Sequence, residues 1–193
     1  MKIVKQSDGI SVYKVKNAHE TLNRIIARTQ VSSNYMDVLC LIKDFGHQKD
    51  WIYSNHDAFV LDSIGPYRWI YYGVSETPWP ILDRDVVAEV ELMIDETQKR
   101  ITVHSVAKPD LIPPSDELVR IQMMDSKWKI TKIGENSTVV VMDILIDVGG
   151  AVPHWLVNLF SSNGPMGTFK NLKKELKKPN RQDCDCGYKE LLN

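Results

Sequence analysis

No sign of charge dominates this chain. Lys and Arg number 24 against 25 Asp and Glu, a formal net charge of −1, so the basic surplus typical of nucleic-acid-binding domains is missing. The same balance argues against a surface drawn as a whole to anionic membranes, although a local patch is compatible with a neutral total. Cysteine is scarce. Cys40, Cys184 and Cys186 are an odd, sparse set and no disulfide framework. Cys40 sits in an apolar helical stretch and reads as a small buried hydrophobe. Cys184-x-Cys186, flanked by Asp183 and Asp185, offers two thiols, too few for a closed soft-metal site, and reads as part of a loose tail. Long apolar runs are missing too. The best, Val139 to Val152, is interrupted by Asp143 and Asp147, whereas a bilayer span needs about 20 apolar residues. Met1-Lys2-Ile3-Val4 leads straight into Gln6-Ser7-Asp8-Gly9, with no recognisable secretory leader; the compartment stays open. Enzyme signatures are also lacking: no nucleophile elbow, phosphate loop or H-E-x-x-H helix, and His19, His47, His56 and His154 lack zinc-ligand spacing.

What the chain does have is length for one sizeable core, 193 residues with 43% hydrophobic, and long stretches of period-2 alternation. Asp8-Gly9 signals a turn before a strand over 10–15, and 22–31 is a second strand with Ile25, Ala27, Thr29 and Val31 on one face. Ser32 or Ser33 can cap a helix running to about Asp44. From Ala58 onward strand follows strand: 59–64 and 67–75 around Gly65-Pro66, 85–94, 100–107, 118–130 and 138–148. Pro153 opens an apolar helix to Leu176, which Asn163-Gly164-Pro165 should kink. Half-covered antiparallel sheets give such alternation. The large partner left to cover the sheet is the last helix. The reading is therefore α+β: a curved antiparallel sheet wrapped around a long C-terminal helix with an internal apolar cavity. The domain spans 1–178 and a polar tail 179–193.

Two segments resemble a known family. Trp79-Pro80-Ile81-Leu82-Asp83-Arg84-Asp85-Val86-Val87 is similar to the P-x-x-x-R-D-F/V segment of START (steroidogenic acute regulatory-related lipid transfer) domains. Gly150-Ala151-Val152-Pro153-His154-Trp155-Leu156-Val157-Asn158 resembles the start of that family's C-terminal helix. Smaller echoes lie at Asp8–Tyr13 and at Leu118–Ile121 ahead of Trp128, so the resemblance covers roughly residues 8–176. It implies a helix-grip fold, a tunnel for one lipid or sterol, no cofactor and no metal. It also implies a gate formed by the 108–117 loop, here with Leu111, Ile112 and Pro113 at its tip, together with the C-terminal helix. The arginine and acidic partner of some cholesterol-binding members fall near Val90 and Tyr71-Tyr72, which are uncharged, so sterol specificity does not carry over.

The expected function is binding, and transfer, of a lipid or other hydrophobic small molecule by a monomer that touches membrane transiently and binds no nucleic acid. Cavity candidates are Trp69, Tyr71, Trp79, Val90, His104, Gln122, Met124, Met142, Trp155, Leu156, Leu159 and Phe160; for each, ordinary core packing is the competing reading. Arg84 and Arg120 are head-group candidates. The plainer reading pairs Arg84 with a neighbouring Asp and leaves Arg120 on a solvated face, because burying an unpaired charge costs several kcal/mol, roughly. The alternative is a cyclase- or aromatase-like enzyme working in the same cavity. That chemistry needs titratable groups converging there, and only His104 and Tyr71 qualify.

Overall fold

The computed structural model describes residues 1–16, 22–150, 162–181, 186–188, 191 and 192. Asp8 and Gly9, both at positive φ (55° and 71°), turn the chain between β1 (Lys2–Ser7) and β2 (Ile10–Lys16). β1 escapes the sequence reading because it is a sheet edge whose residues are exposed from Lys2 to Gln6, so no buried face imposes alternation. β3 (Asn23–Val31) buries Ile25, Ala27, Thr29 and Val31, as its alternation predicts. α1 (Tyr35–Lys43) is capped not by Ser32 or Ser33 but by Asn34, whose Oδ1 accepts the Met36 N–H at 2.9 Å.

β4 (Asn55–Gly65) and β5 (Arg68–Ser75) form the expected hairpin, followed by β6 (Arg84–Asp95) and β7 (Arg100–Ala107). The single strand expected over 118–130 is two. β8 (Val119–Arg120) runs parallel to the start of β6, and β9 (Met123–Gly134) pairs antiparallel with β7 and with β10 (Ser137–Asp147). The split lets Arg120 reach Asp85 across the parallel pair, which an unbroken β9 would not permit. The sheet order is β1-β2-β3-β10-β9-β7-β6-β5-β4, with β8 beside β6.

The described part of the C-terminal helix is α2 (Gly164–Glu175), with Pro165 in its first turn, where a missing N–H costs nothing, and Lys173 and Lys174 in its last. Its Phe169 and Leu172 are fully buried. The Phe169 ring stacks on Trp128 of β9, centroids 5.6 Å apart, and Trp51 meets Trp128 edge-on at 5.8 Å. This clamp of α2 on the concave face of the sheet is the grip expected from the sequence.

The tail is not loose where it is described. Cys186 is disulfide-bonded to Cys40 of α1, Cα atoms 5.3 Å apart. Tyr188 stacks on Tyr67 at 5.6 Å under the Lys43 ammonium, and the Leu192 N–H donates to the Tyr35 hydroxyl at 3.2 Å. The sequence reading failed here because a bond between residues 146 apart leaves no local pattern. The tail and α1 thus close one end of the sheet. The 77–83, 108–118 and 148–150 segments gather at the other.

Candidate ligand cavity

The side chains facing α2 follow directly from strand register. One row runs straight across six strands: Lys14, Ile25, Ile144, Ser126, Ser105 and Val90 are successive partners on β2, β3, β10, β9, β7 and β6. All six line a cavity of about 350 Å³ between sheet and helix. Rows on either side add Met142, Trp128 and Val103 toward the α1 end, and Ile146, Met124 and Tyr71 toward the other. Ile42, Phe45, Ile52, Pro165 and Thr168 roof it. The lining is dominated by aliphatic, aromatic and methionine side chains with a few placed polar groups, the usual make-up of a small-molecule pocket.

The polar groups are specific. Tyr71 donates its hydroxyl to Gln48 Oε1 at 3.1 Å, and Gln48 Nε2 donates to the Ile42 carbonyl at 2.9 Å. Burial pushes the Tyr71 phenol up to about 12, with a hydrogen bond from Asn55 pulling the other way, so it is neutral at ordinary pH. Asn55 Oδ1 is buried with no hydrogen-bond partner among the described residues. Gly73, two residues on from Tyr71 on the same face, has to be glycine: a Cβ there would lie 2.8 Å from two carbons of the Tyr71 ring.

The sequence candidates divide. Tyr71, Val90, Met124 and Met142 line the cavity. Trp69 shares the Tyr71 face but lies one row nearer the closed end, packed against Phe45 at 6.4 Å. Trp79 is a correction: it is 92% exposed on the loop before β6. Gln122 is another, exposed in the break between β8 and β9 with its amide donating to the Arg120 carbonyl. His104 is the third. Val103 and Ser105 face inward, so the residue between them faces out, and His104 Nε2 meets Asp125 Oδ1 at 2.7 Å on the convex side. His104 and Tyr71 are therefore on opposite faces of the sheet. Trp155, Leu156, Leu159 and Phe160 lie outside the described residues. Ser105, Ser126, Gln48 and Asn55 were missed. Two-residue periodicity from Val103 would have found Ser105, and from Met124 would have found Ser126; Gln48 and Asn55 depend on how the 45–55 segment folds over the cavity.

Neither arginine faces the cavity. Arg84, 2% exposed, forms no ion pair with a carboxylate among the described residues: its Nε donates to the Val148 carbonyl at 3.3 Å and its Nη2 to that of Gly149 at 3.4 Å, while Nη1 reaches the Leu82 carbonyl. Asp83 acts on it through charge alone, its Oδ1 accepting the Thr77 N–H at 2.7 Å. Arg120 corrects its expectation of a solvated face. Nε and Nη2 grip Asp85 Oδ1 and Oδ2 at 3.0 and 2.9 Å, with the two side chains 5% and 1% exposed. Its Nη1 then donates to the carbonyls of Pro109 (2.6 Å) and Ile112 (3.0 Å), and Nη2 to that of Pro113 (3.3 Å). The hydrogen bonds to Asp85 hold the guanidinium above its ordinary value. The two arginines pin two loops of the open end, with Leu111 exposed, Ile112 half-buried and Pro113 exposed at the tip of one.

Comparison with known proteins fits this geometry. An uncharacterized Pseudomonas aeruginosa protein is 28% identical over 179 residues, 92% of this chain and 87% of the relative. Bovine phosphatidylcholine transfer protein is 20% identical, covering 88% of this chain and 80% of its own. The crystal structure of a STAR-related lipid transfer protein from Xanthomonas axonopodis superposes with a TM-score of 0.82 at 24% identity, over 92% of this chain and 98% of that one. The START domain profile matches residues 1–182, and the chain belongs to the START domain family.

Proposed function

We propose that the protein binds one lipid or other hydrophobic small molecule in the cavity between sheet and α2, and exchanges it at the end where the 108–117 loop lies. The observation that carries this reading is the lining: an interior space of about 350 Å³ walled by side chains such as Val90, Val103, Met124, Met142 and Ile144. Apolar surface left uncovered in a core costs about 25 cal/mol per Å² against covering it, so such a wall favours an apolar occupant. The name of the phosphatidylcholine transfer protein relative supports a lipid as that occupant. For exchange, the support is the loop itself, with Leu111 54% exposed at its tip and Trp79 and Leu82 exposed on the next loop. Trp at the boundary of apolar and aqueous phases suits contact with a bilayer surface.

The separation of His104 from Tyr71 by the thickness of the sheet counts against acid-base catalysis by that pair. The test is native mass spectrometry of freshly purified protein, then organic extraction. The expected result is a lipid-class adduct near one per chain, or its uptake from mixed vesicles. A ligand-free mass that persists after incubation with vesicles overturns the reading.

A further inference from the structure

Two serine hydroxyls stand side by side on the sheet wall of the cavity. Ser105 and Ser126 are direct cross-strand partners of β7 and β9, flanked in their row by Val90 and Ile144. Both line the cavity. Cross-strand partners lie about 5 Å apart at Cβ, so one oxygen atom can sit between two such hydroxyls. Neither hydroxyl takes a hydrogen bond from, or gives one to, any described residue. Neither is among the sealed-off polar atoms that lack a partner, so each opens onto the cavity space. A buried hydroxyl without a partner is costly, and valine or alanine would fill either position on a β-strand without that cost.

We infer that the Ser105–Ser126 pair is a recognition site for a neutral oxygen function, a hydroxyl or carbonyl, on the ligand, which lodges polar end first in the middle of the sheet. Charge argues for neutrality. Arg84 and Arg120 are committed to loop carbonyls and to Asp85. The charged side chains among the described lining residues are Lys14, on the opposite side of the row from Val90, and the exposed Asp147. Lys14 stands three strands from Ser126 along the row, roughly 14 Å at ordinary strand spacing, so a phosphate at the serine pair would lie closer to neutral side chains than to that cation. Serine hydroxyls both donate and accept, which matches an alcohol or an ester carbonyl equally. This inference rests on the reading of the cavity as a lipid site.

The test uses displacement of N-phenyl-1-naphthylamine fluorescence by dodecan-1-ol, dodecane and didecanoyl phosphatidylcholine, in the native protein and in Ser105→Ala/Ser126→Ala. In the native protein dodecanol displaces the probe at concentrations at least tenfold below those needed for the phosphatidylcholine. In the variant the dodecanol requirement rises about tenfold, two ordinary hydrogen bonds' worth, while that for dodecane stays the same or falls. A parallel rise for alcohol and alkane, no rise for either, or phosphatidylcholine matching dodecanol in the native protein each overturns the inference while leaving a lipid site. A native protein that binds neither probe nor displacer overturns the underlying lipid-site reading instead. Ser105→Val/Ser126→Val, whose β-branched side chains favour a strand, guards against a folding defect and carries the same expectation of a raised dodecanol requirement relative to dodecane.

Discussion

Replacing Arg120 by Met leaves the Asp85 carboxylate, 1% exposed, without its bidentate partner and strips the 108–117 loop of three anchoring hydrogen bonds. Among the described residues, the Tyr72 hydroxyl, 3.1 Å from Oδ2, is the one other side chain that donates to Asp85. Breaking a buried pair from one side costs about 3–5 kcal/mol, because a desolvated charge is left behind, whereas an exposed pair such as Lys170–Asp8 is screened by solvent and contributes little. Urea unfolding of Arg120→Met should therefore show a loss near the upper range, and Lys170→Ala almost none. The companion Arg120→Met/Asp85→Leu should recover much of the deficit, since an apolar pair is a tolerable replacement for a buried ion pair, giving a large coupling in the double-mutant cycle. The loop carbonyls remain unanchored in both variants, so amide exchange in 108–117 should be faster in the double variant even where stability is restored. A single-variant loss below about 1 kcal/mol, or a double variant no better than the single, would refute the clamp.

Four further outcomes are expected. Phe169→Ala removes the ring stacked on Trp128 and should cost about 3–5 kcal/mol in denaturant unfolding; a loss under about 1 kcal/mol would mean α2 is not held there. Gly73→Ala drives a methyl into the Tyr71 ring and should cost about 1–3 kcal/mol, with loss of probe binding in the cavity; unchanged stability and binding would count against that packing. On the convex face, burial would raise the Asp125 and Asp143 carboxyls, but His104 and Lys127 around the first and Arg24 and Lys129 around the second hold both below the ordinary 3.8. A depressed folded-state value gives stability that is full above the unfolded value and is lost as pH falls through the folded one, so unfolding free energy should drop below about pH 4, and less steeply in Asp143→Asn. Leu111→Ser/Ile112→Ser should slow lipid transfer between vesicles with unchanged circular dichroism, and an unaltered rate would remove the loop tip from the exchange step.

Much of the sheet was legible because one face is buried and the other is not. β7 matches its expected span, and in β10 the uncharged run Val140, Met142, Ile144, Ile146 points inward as its alternation demands. What failed did so where tertiary context overrides local pattern. β1 has no buried face; the β8–β9 break serves a side chain 35 residues away; and the tail is organised by a cystine and by aromatic contacts to Tyr67. The cavity candidates went wrong for a related reason. Of the large aromatics expected in the wall, Tyr71 lines it, but Trp69 is roofed by Phe45 and Trp79 is outside altogether. Much of the rest is branched aliphatics, methionine and serine, residues whose address depends on register and not on size.

The cystine between α1 and the tail turns most of the molecule into a covalent ring. Every residue from Cys40 to Cys186, including strands β4 to β10 and α2, lies on that ring. That hoop fixes α1 to the tail covalently at the base, whereas at the opposite rim the joints are hydrogen bonds from two arginines to loop carbonyls. If ligand exchange runs past the 108–117 loop as proposed, the contacts it must break are ones that can form again, while the base keeps its covalent tie.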